Sequence, residues 1–123
     1  MTTALLLIAH GSRQDEANAD LRHVVEQLRR RGPYAVVEPC FLELAEPDID
    51  AGAGRCVDQG ADQVILLPYF LAAGIHVLRD LTAARDRLAQ RFRQVDFRLA
   101  EPLGRHPKLL DVLAERAAEA ENG

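Results

Sequence analysis

ALLLIA at residues 4–9, running straight into HGSR at residues 10–13, decides the fold. A short, continuous apolar run of this kind is the pattern of a strand covered on both faces, as in parallel sheets. Six apolar residues without a basic flank make a strand rather than a signal peptide. His10 and Gly11 break the run, and a helical pattern follows through about Arg31, with Ala17, Leu21, Val24, Val25 and Leu28 on one face. Gly32-Pro33 stops that helix. Arg29, Arg30 and Arg31 sit in its last turn, where cations complement the helix dipole.

The same unit then repeats. Ala35 to Phe41 reads as a second strand. A loop carrying Glu43 and Glu46 leads to a helix with Pro47 in its first turn. That helix ends near Gly60, and Gly52 and Gly54 in its interior count against it. QVILLPY, residues 63–69, is the strongest strand of the chain. The loop FLAAGI, residues 70–75, leads from it to His76, and a third helix is expected from about Leu78 to Phe92. Val95 to Ala100 is a fourth strand, and a last amphipathic helix covers about Pro107 to Glu121. The order βαβαβαβα implies an α/β fold: one domain over residues 1–123, with a four-stranded parallel sheet and helices on both faces.

Composition sets outer bounds. Hydrophobic residues make up 48% and charged residues 28%, which is ordinary for a globular chain with a real core. A net charge of −4 gives no basic footprint for nucleic acid. No segment reaches the length of a membrane span. The two cysteines, Cys40 and Cys56, have no C-x-x-C spacing and do not make a secreted disulfide scaffold. A cytoplasmic location is the expectation.

In open parallel sheets, ligands bind beyond the carboxyl ends of the strands. His10 to Arg13, Glu43 with Glu46, Phe70 to His76, and Glu101 with Arg105 and His106 all fall there. Ser12 reads as a helix N-cap, His23 as a surface helix residue and His106 as local structure at a helix start. Glu43 and Glu46 read equally as solvated loop acids or as ligands. Imidazole and carboxylate suit borderline divalent ions. Two histidines with one or two glutamates fall short of a closed structural site. They would make an open one, from which a metal can be surrendered. A histidine can also serve as a general base near neutral pH. The chain has no G-x-G-x-x-G, no P-loop and no G-x-S-x-G. Ala9 stands where histidine phosphatases carry the arginine of R-H-G.

LLLIAHGSR, FLELAEP, VILLPYFLAAGIHVLRDL and EPLGRHPKLLDVLAER, in this order over about residues 4 to 116, resemble the small sirohydrochlorin chelatases. These are the CbiX/SirB-like class II chelatases, which insert cobalt or ferrous iron into sirohydrochlorin. The resemblance implies that His10 is a metal ligand and proton acceptor, and that His76 is the second metal ligand. It places the macrocycle against Leu71, Ala72, Ala73, Gly74, Ile75 and His76, and near Glu46. Glu43 is the next candidate for metal or proton handling. Because the substrate carries many carboxylates, Arg13, with Arg79 and Arg105, is a candidate by position for binding it. No permanently bound cofactor is expected: the metal, Co²⁺ or Fe²⁺ with Ni²⁺ as the alternative, is a substrate. A homodimer is the expected assembly, and a non-catalytic metal or tetrapyrrole carrier is the competing reading. Relatives often read D-I-P where this chain has Asp80-Leu81-Thr82, which alters a helix start.

Overall fold

The computed structural model describes residues 1–123. The elements are β1 (Thr3–Ala9), α1 (Asp15–Arg31), β2 (Val36–Phe41), α2 (Ile49–Asp58), β3 (Gln63–Pro68), α3 (Ile75–Arg91), β4 (Asp96–Leu99) and α4 (Lys108–Asn122). All strand pairings are parallel, in the order β2-β1-β3-β4. The chain moves outward from β1 to β2, then crosses back over β1 to β3 and β4. Right-handed crossovers therefore send α1 to one face and α2 and α3 to the other.

The core follows that division. Leu5, Leu7, Val37 and Phe41 pack with Leu21 and Val25 of α1. On the opposite face, Ala4, Leu6, Ile8, Cys40, Val64 and Leu66 pack with Ala53, Cys56, Leu81 and Leu88 of α2 and α3. Alternate residues of β1 thus serve opposite faces, and all of Ala4 to Ile8 are buried. Gly52, which weakens α2 as a lone helix, has a packing reason. A Cβ there would lie 2.8 Å from Leu6 Cδ1 and 2.9 Å from Cys40 Cβ.

Three helix starts differ from the sequence reading. The residue capping α1 is Gln14, not Ser12, and it makes no side-chain cap bond. Ser12 is instead pinned by buried Asn18, whose Oδ1 accepts from Ser12 N–H at 2.9 Å and whose Nδ2 donates to the Ser12 carbonyl at 2.8 Å. Pro47 lies before α2 rather than in its first turn, in a cis Glu46-Pro47 bond. Asp48 takes the cap position, its carboxylate accepting from Ala51 N–H at 2.8 Å. The third helix begins at Ile75, three residues early, because Gly74 caps it in an extended conformation without a side-chain bond. His76 therefore stands in the first helical turn, not in a loop.

The expectation of helices on both faces holds through α1 against α2 and α3. α4 adds no cover: none of its residues is buried, and Leu110 and Leu113 are 69% and 65% exposed. Ile65, Leu67 and Tyr69 on the α1 face of β3 remain only partly buried. No helix of the chain is long and apolar enough to cross a membrane.

Cys40 and Cys56 are free thiols in the core between β2 and α2. Burial pushes the Cys56 thiol up to about 12, helped by the Glu38 carboxylate. Burial, then Cys56 and Asp48, drives Cys40 well above the ordinary thiol range. An unfolded thiol titrates near about 8.5. Below that pH both states are protonated and folding is unaffected. Above it the unfolded state loses its protons first, so stability falls as pH rises toward 12, by up to about 1.4 kcal/mol per pH unit for each thiol. Denaturant titrations at pH 8 and pH 10 should show this loss, and Cys56→Ala should shrink it. An equal alkaline slope in that variant would assign the loss to other groups.

Candidate metal and substrate cleft at the strand ends

The strand order reverses at β1, between β2 and β3, and a ligand crevice is expected beyond the strand ends at such a point. His10 occupies it, as the first residue after β1. Three backbone hydrogen bonds tie the neighbouring strand ends to it. Leu42 N–H donates to the Ala9 carbonyl at 3.0 Å, Glu43 N–H to the His10 carbonyl at 3.0 Å, and Tyr69 N–H to the Ile8 carbonyl at 2.7 Å. The His10 ring lies against Phe70 from the end of β3, with centroids 4.6 Å apart and planes 31° from parallel. Gly11 lets the end of β1 lie close against Glu43. Its φ is +95°, and a Cβ there would fall 1.8 Å from the Glu43 carbonyl oxygen. The pairing of histidine with glycine in H-G-S thus has a steric cause.

His10 and Glu43 line a cleft of about 490 Å³ between the strand ends and α3. Leu42, Ile49, Val77 and Ala84 supply its apolar wall. Asp80 and Arg87 complete the polar wall. Arg87 is engaged with the Asp50 carboxylate at 3.3 Å. No three His, Cys, Asp or Glu side chains converge closely enough to enclose a metal ion. The donors instead stand along an open cleft.

The other candidates are distributed around it. His76 is exposed in the first turn of α3 and is not among the cleft-lining residues. Leu71, Ala72 and Gly74 are exposed and Ala73 is partly so. Leu71 and Ile75 show 64% and 61% of their surface, an apolar rim at the carboxyl end of β3. Leu103 N–H donates to the Phe70 carbonyl at 3.1 Å and fixes the start of that loop. Glu46 does not line the cleft that holds His10. It shares a groove with Glu43 over Phe41–Asp48, and a second recess with Arg22, Arg29 and Arg55. Arg13, Arg79 and Arg105 are exposed, Arg105 with a positive φ of 67°. His106 accepts from Lys108 N–H at 3.1 Å, the local role expected of it. Asp80 and Arg87 are the polar lining residues left out of the sequence-based site. The signal for Asp80 was available in its spacing of four from His76.

The chain matches the CbiX family over residues 4–120. It is 37% identical over 112 residues to the chloroplastic sirohydrochlorin ferrochelatase of Arabidopsis thaliana, covering 91% of this chain and 50% of that protein. It is 35% identical over 116 residues to the sirohydrochlorin cobaltochelatase of Sulfolobus acidocaldarius, covering 94% and 90%. The cobalt complex of the sirohydrochlorin chelatase SirB from Bacillus subtilis subspecies spizizenii superposes with a TM-score of 0.87 at 28% identity, covering 97% of this chain and 51% of that one. The chain thus spans about half the length of the plant protein and of SirB, and nearly all of the Sulfolobus protein. Matched over almost its full length, and with H-G-S seated at the strand-order reversal, the chain belongs to the CbiX family.

Proposed function

We propose that this protein inserts a divalent metal ion, Co²⁺ or Fe²⁺, into sirohydrochlorin, in cobalamin or siroheme biosynthesis. The observation that carries the reading is His10, held at the junction of three strand ends beside Glu43, on an open cleft of about 490 Å³. Relatives named for this reaction in two metals, iron and cobalt, support it.

The reaction exchanges two pyrrole N–H protons for one M²⁺ and leaves the metal divalent, so it needs neither electron transfer nor a nucleotide. His10 and His76 act as metal ligands and Glu43 assists. An imidazole or carboxylate takes the released protons, directly or through water. Neutral imidazole with carboxylate holds such ions without the closed thiolate set of a structural site. The macrocycle lies against Leu71 to His76 and near Glu46, with Arg13 toward its carboxylates. The metal is a substrate, and no resident cofactor is required.

Residues 1–123 act as one chelatase-like unit, paired with a second copy as a homodimer. The exposed apolar stripe of α4, and relatives about twice this length, support the pairing. Two buried free thiols suit the reducing cytoplasm.

The test mixes the protein anaerobically with sirohydrochlorin and Co²⁺, Fe²⁺ or Ni²⁺ and follows the absorbance of the macrocycle. Multiple-turnover acceleration over the protein-free reaction is expected with Co²⁺ or Fe²⁺. Stoichiometric binding of the macrocycle without acceleration would make the protein a carrier, and acceleration by Ni²⁺ alone would change the pathway.

A further inference from the structure

α3 (Ile75–Arg91) turns one edge of mixed polarity toward the cleft. Val77, Asp80, Ala84 and Arg87 recur on it at intervals of three and four. His76 lies four residues before Asp80. Residues at i and i+4 stand one above the other on a helix, with Cβ atoms about 5–6 Å apart. The two histidines of H-E-x-x-H use this same spacing to grip one zinc ion. We propose that His76 and Asp80 form a two-point landing site for the incoming divalent cation at the mouth of the cleft, with Asp80 a metal ligand in its own right. The proposal rests on the reading of the metal as substrate, and it adds a donor to that site.

Nothing else in the structure accounts for Asp80. On α3, Arg85 is paired with Asp86 at 2.9 Å and Arg87 with Asp50 at 3.3 Å, while exposed Arg79 forms no ion pair with Asp80. Asp80 itself enters no ion pair and no side-chain hydrogen bond, and it lines the cleft beside Val77 and Ala84. Helix-dipole stabilisation does not explain it either. That effect fades within the first turn, which holds no acid here, and Asp80 is in the second. One carboxylate and one imidazole suit cobalt, ferrous iron or nickel. Two protein donors leave the remaining coordination positions to water. An ion held this way can be passed inward to His10 and Glu43, which line the same cleft.

The experiment titrates Co²⁺ alone into the intact protein and follows the visible absorption of bound cobalt. Wild type is compared with Asp80→Asn, His76→Ala, the double variant and Asp86→Asn. Even outer partners of metal ligands are worth about 10–100-fold in affinity, so each single variant of the pair should weaken Co²⁺ by at least about tenfold. The double variant should be little worse than either single one, because a broken chelate leaves little for the second donor to add. Asp86→Asn, which removes the same charge elsewhere on α3, should bind as wild type does. Wild-type affinity in Asp80→Asn, or an equal loss in Asp86→Asn, would overturn the proposal. Circular dichroism of Asp80→Asn confirms that the exposed site tolerates the change. A wild type that binds Co²⁺ through Asp80 but does not accelerate insertion would overturn the chelatase reading and leave this site standing.

Discussion

His10→Ala is expected to slow metal insertion by about 10²–10⁴-fold, the range that a positioned proton acceptor commonly supplies, while the fold stays intact. The reason lies in how little the imidazole does for stability. His10 is exposed, and its side chain makes no hydrogen bond within the chain, only the face contact with Phe70 at 4.6 Å. The local backbone is held by the Glu43 N–H bond to the His10 carbonyl, which alanine keeps. Surface substitutions of this kind usually move stability by no more than about 0.5 kcal/mol. Activity and melting temperature should therefore part company, with the first nearly lost and the second nearly unchanged. His76→Ala should also abolish insertion with the fold intact, since it removes the second proposed ligand from an exposed helical turn. Absorbance-monitored insertion of Co²⁺ together with a thermal melt checks both variants. A His10→Ala protein that keeps more than a tenth of the wild-type rate would move the proton chemistry to Glu43 or to a side chain outside the cleft.

What the sequence revealed, and what it hid, follows from which forces leave a local signature. β1 was legible because a strand covered on both faces must be apolar at every position, and Ala4 to Ile8 are all buried. The neighbouring of His10 and the β3 end followed from the βαβ order, and β1 does pair with β3. Helix starts were less legible wherever a cap used no side-chain oxygen. Gly74 begins α3 with its backbone alone, so the sequence reading placed His76 in a loop and missed its helical spacing to Asp80. Pro47 looked like a first-turn proline because the stronger claim of Asp48 depends on a 2.8 Å bond to Ala51 N–H. The apolar face of α4 was legible as amphipathicity. Which surface covers it was not, since a stripe of leucines specifies burial and no address.

The glycine beside His10 should matter nearly as much as the histidine. Gly11 has a φ of +95°, and an added Cβ would overlap the Glu43 carbonyl oxygen at 1.8 Å and crowd Phe41 Cβ at 3.2 Å. Gly11→Ala cannot be absorbed by a side-chain rotation, because the obstacle is backbone. Backbone strain of this kind costs about 1–3 kcal/mol. Forcing the ends of β1 and β2 apart would also stretch the Leu42 and Glu43 N–H bonds, which are worth about 0.5–1.5 kcal/mol each. The expected loss is about 2–4 kcal/mol, or a melting temperature lower by roughly 10 °C or more. A domain with about 5–15 kcal/mol in hand remains folded in the cold. There the second effect becomes visible. The displaced segment carries both His10 and Glu43, and a shift of about 1 Å in a reacting group can cost about 10²-fold in rate. Gly54→Ala supplies the contrast. An added methyl there meets nothing within 4 Å, inside α2, so it should stabilise by about 0.5–1 kcal/mol and leave insertion untouched. Melts of the two variants, with insertion rates taken well below either transition, separate the outcomes. A Gly11→Ala protein as stable and active as wild type would mean that the close contact between the β1 and β2 ends does not set the geometry of the cleft.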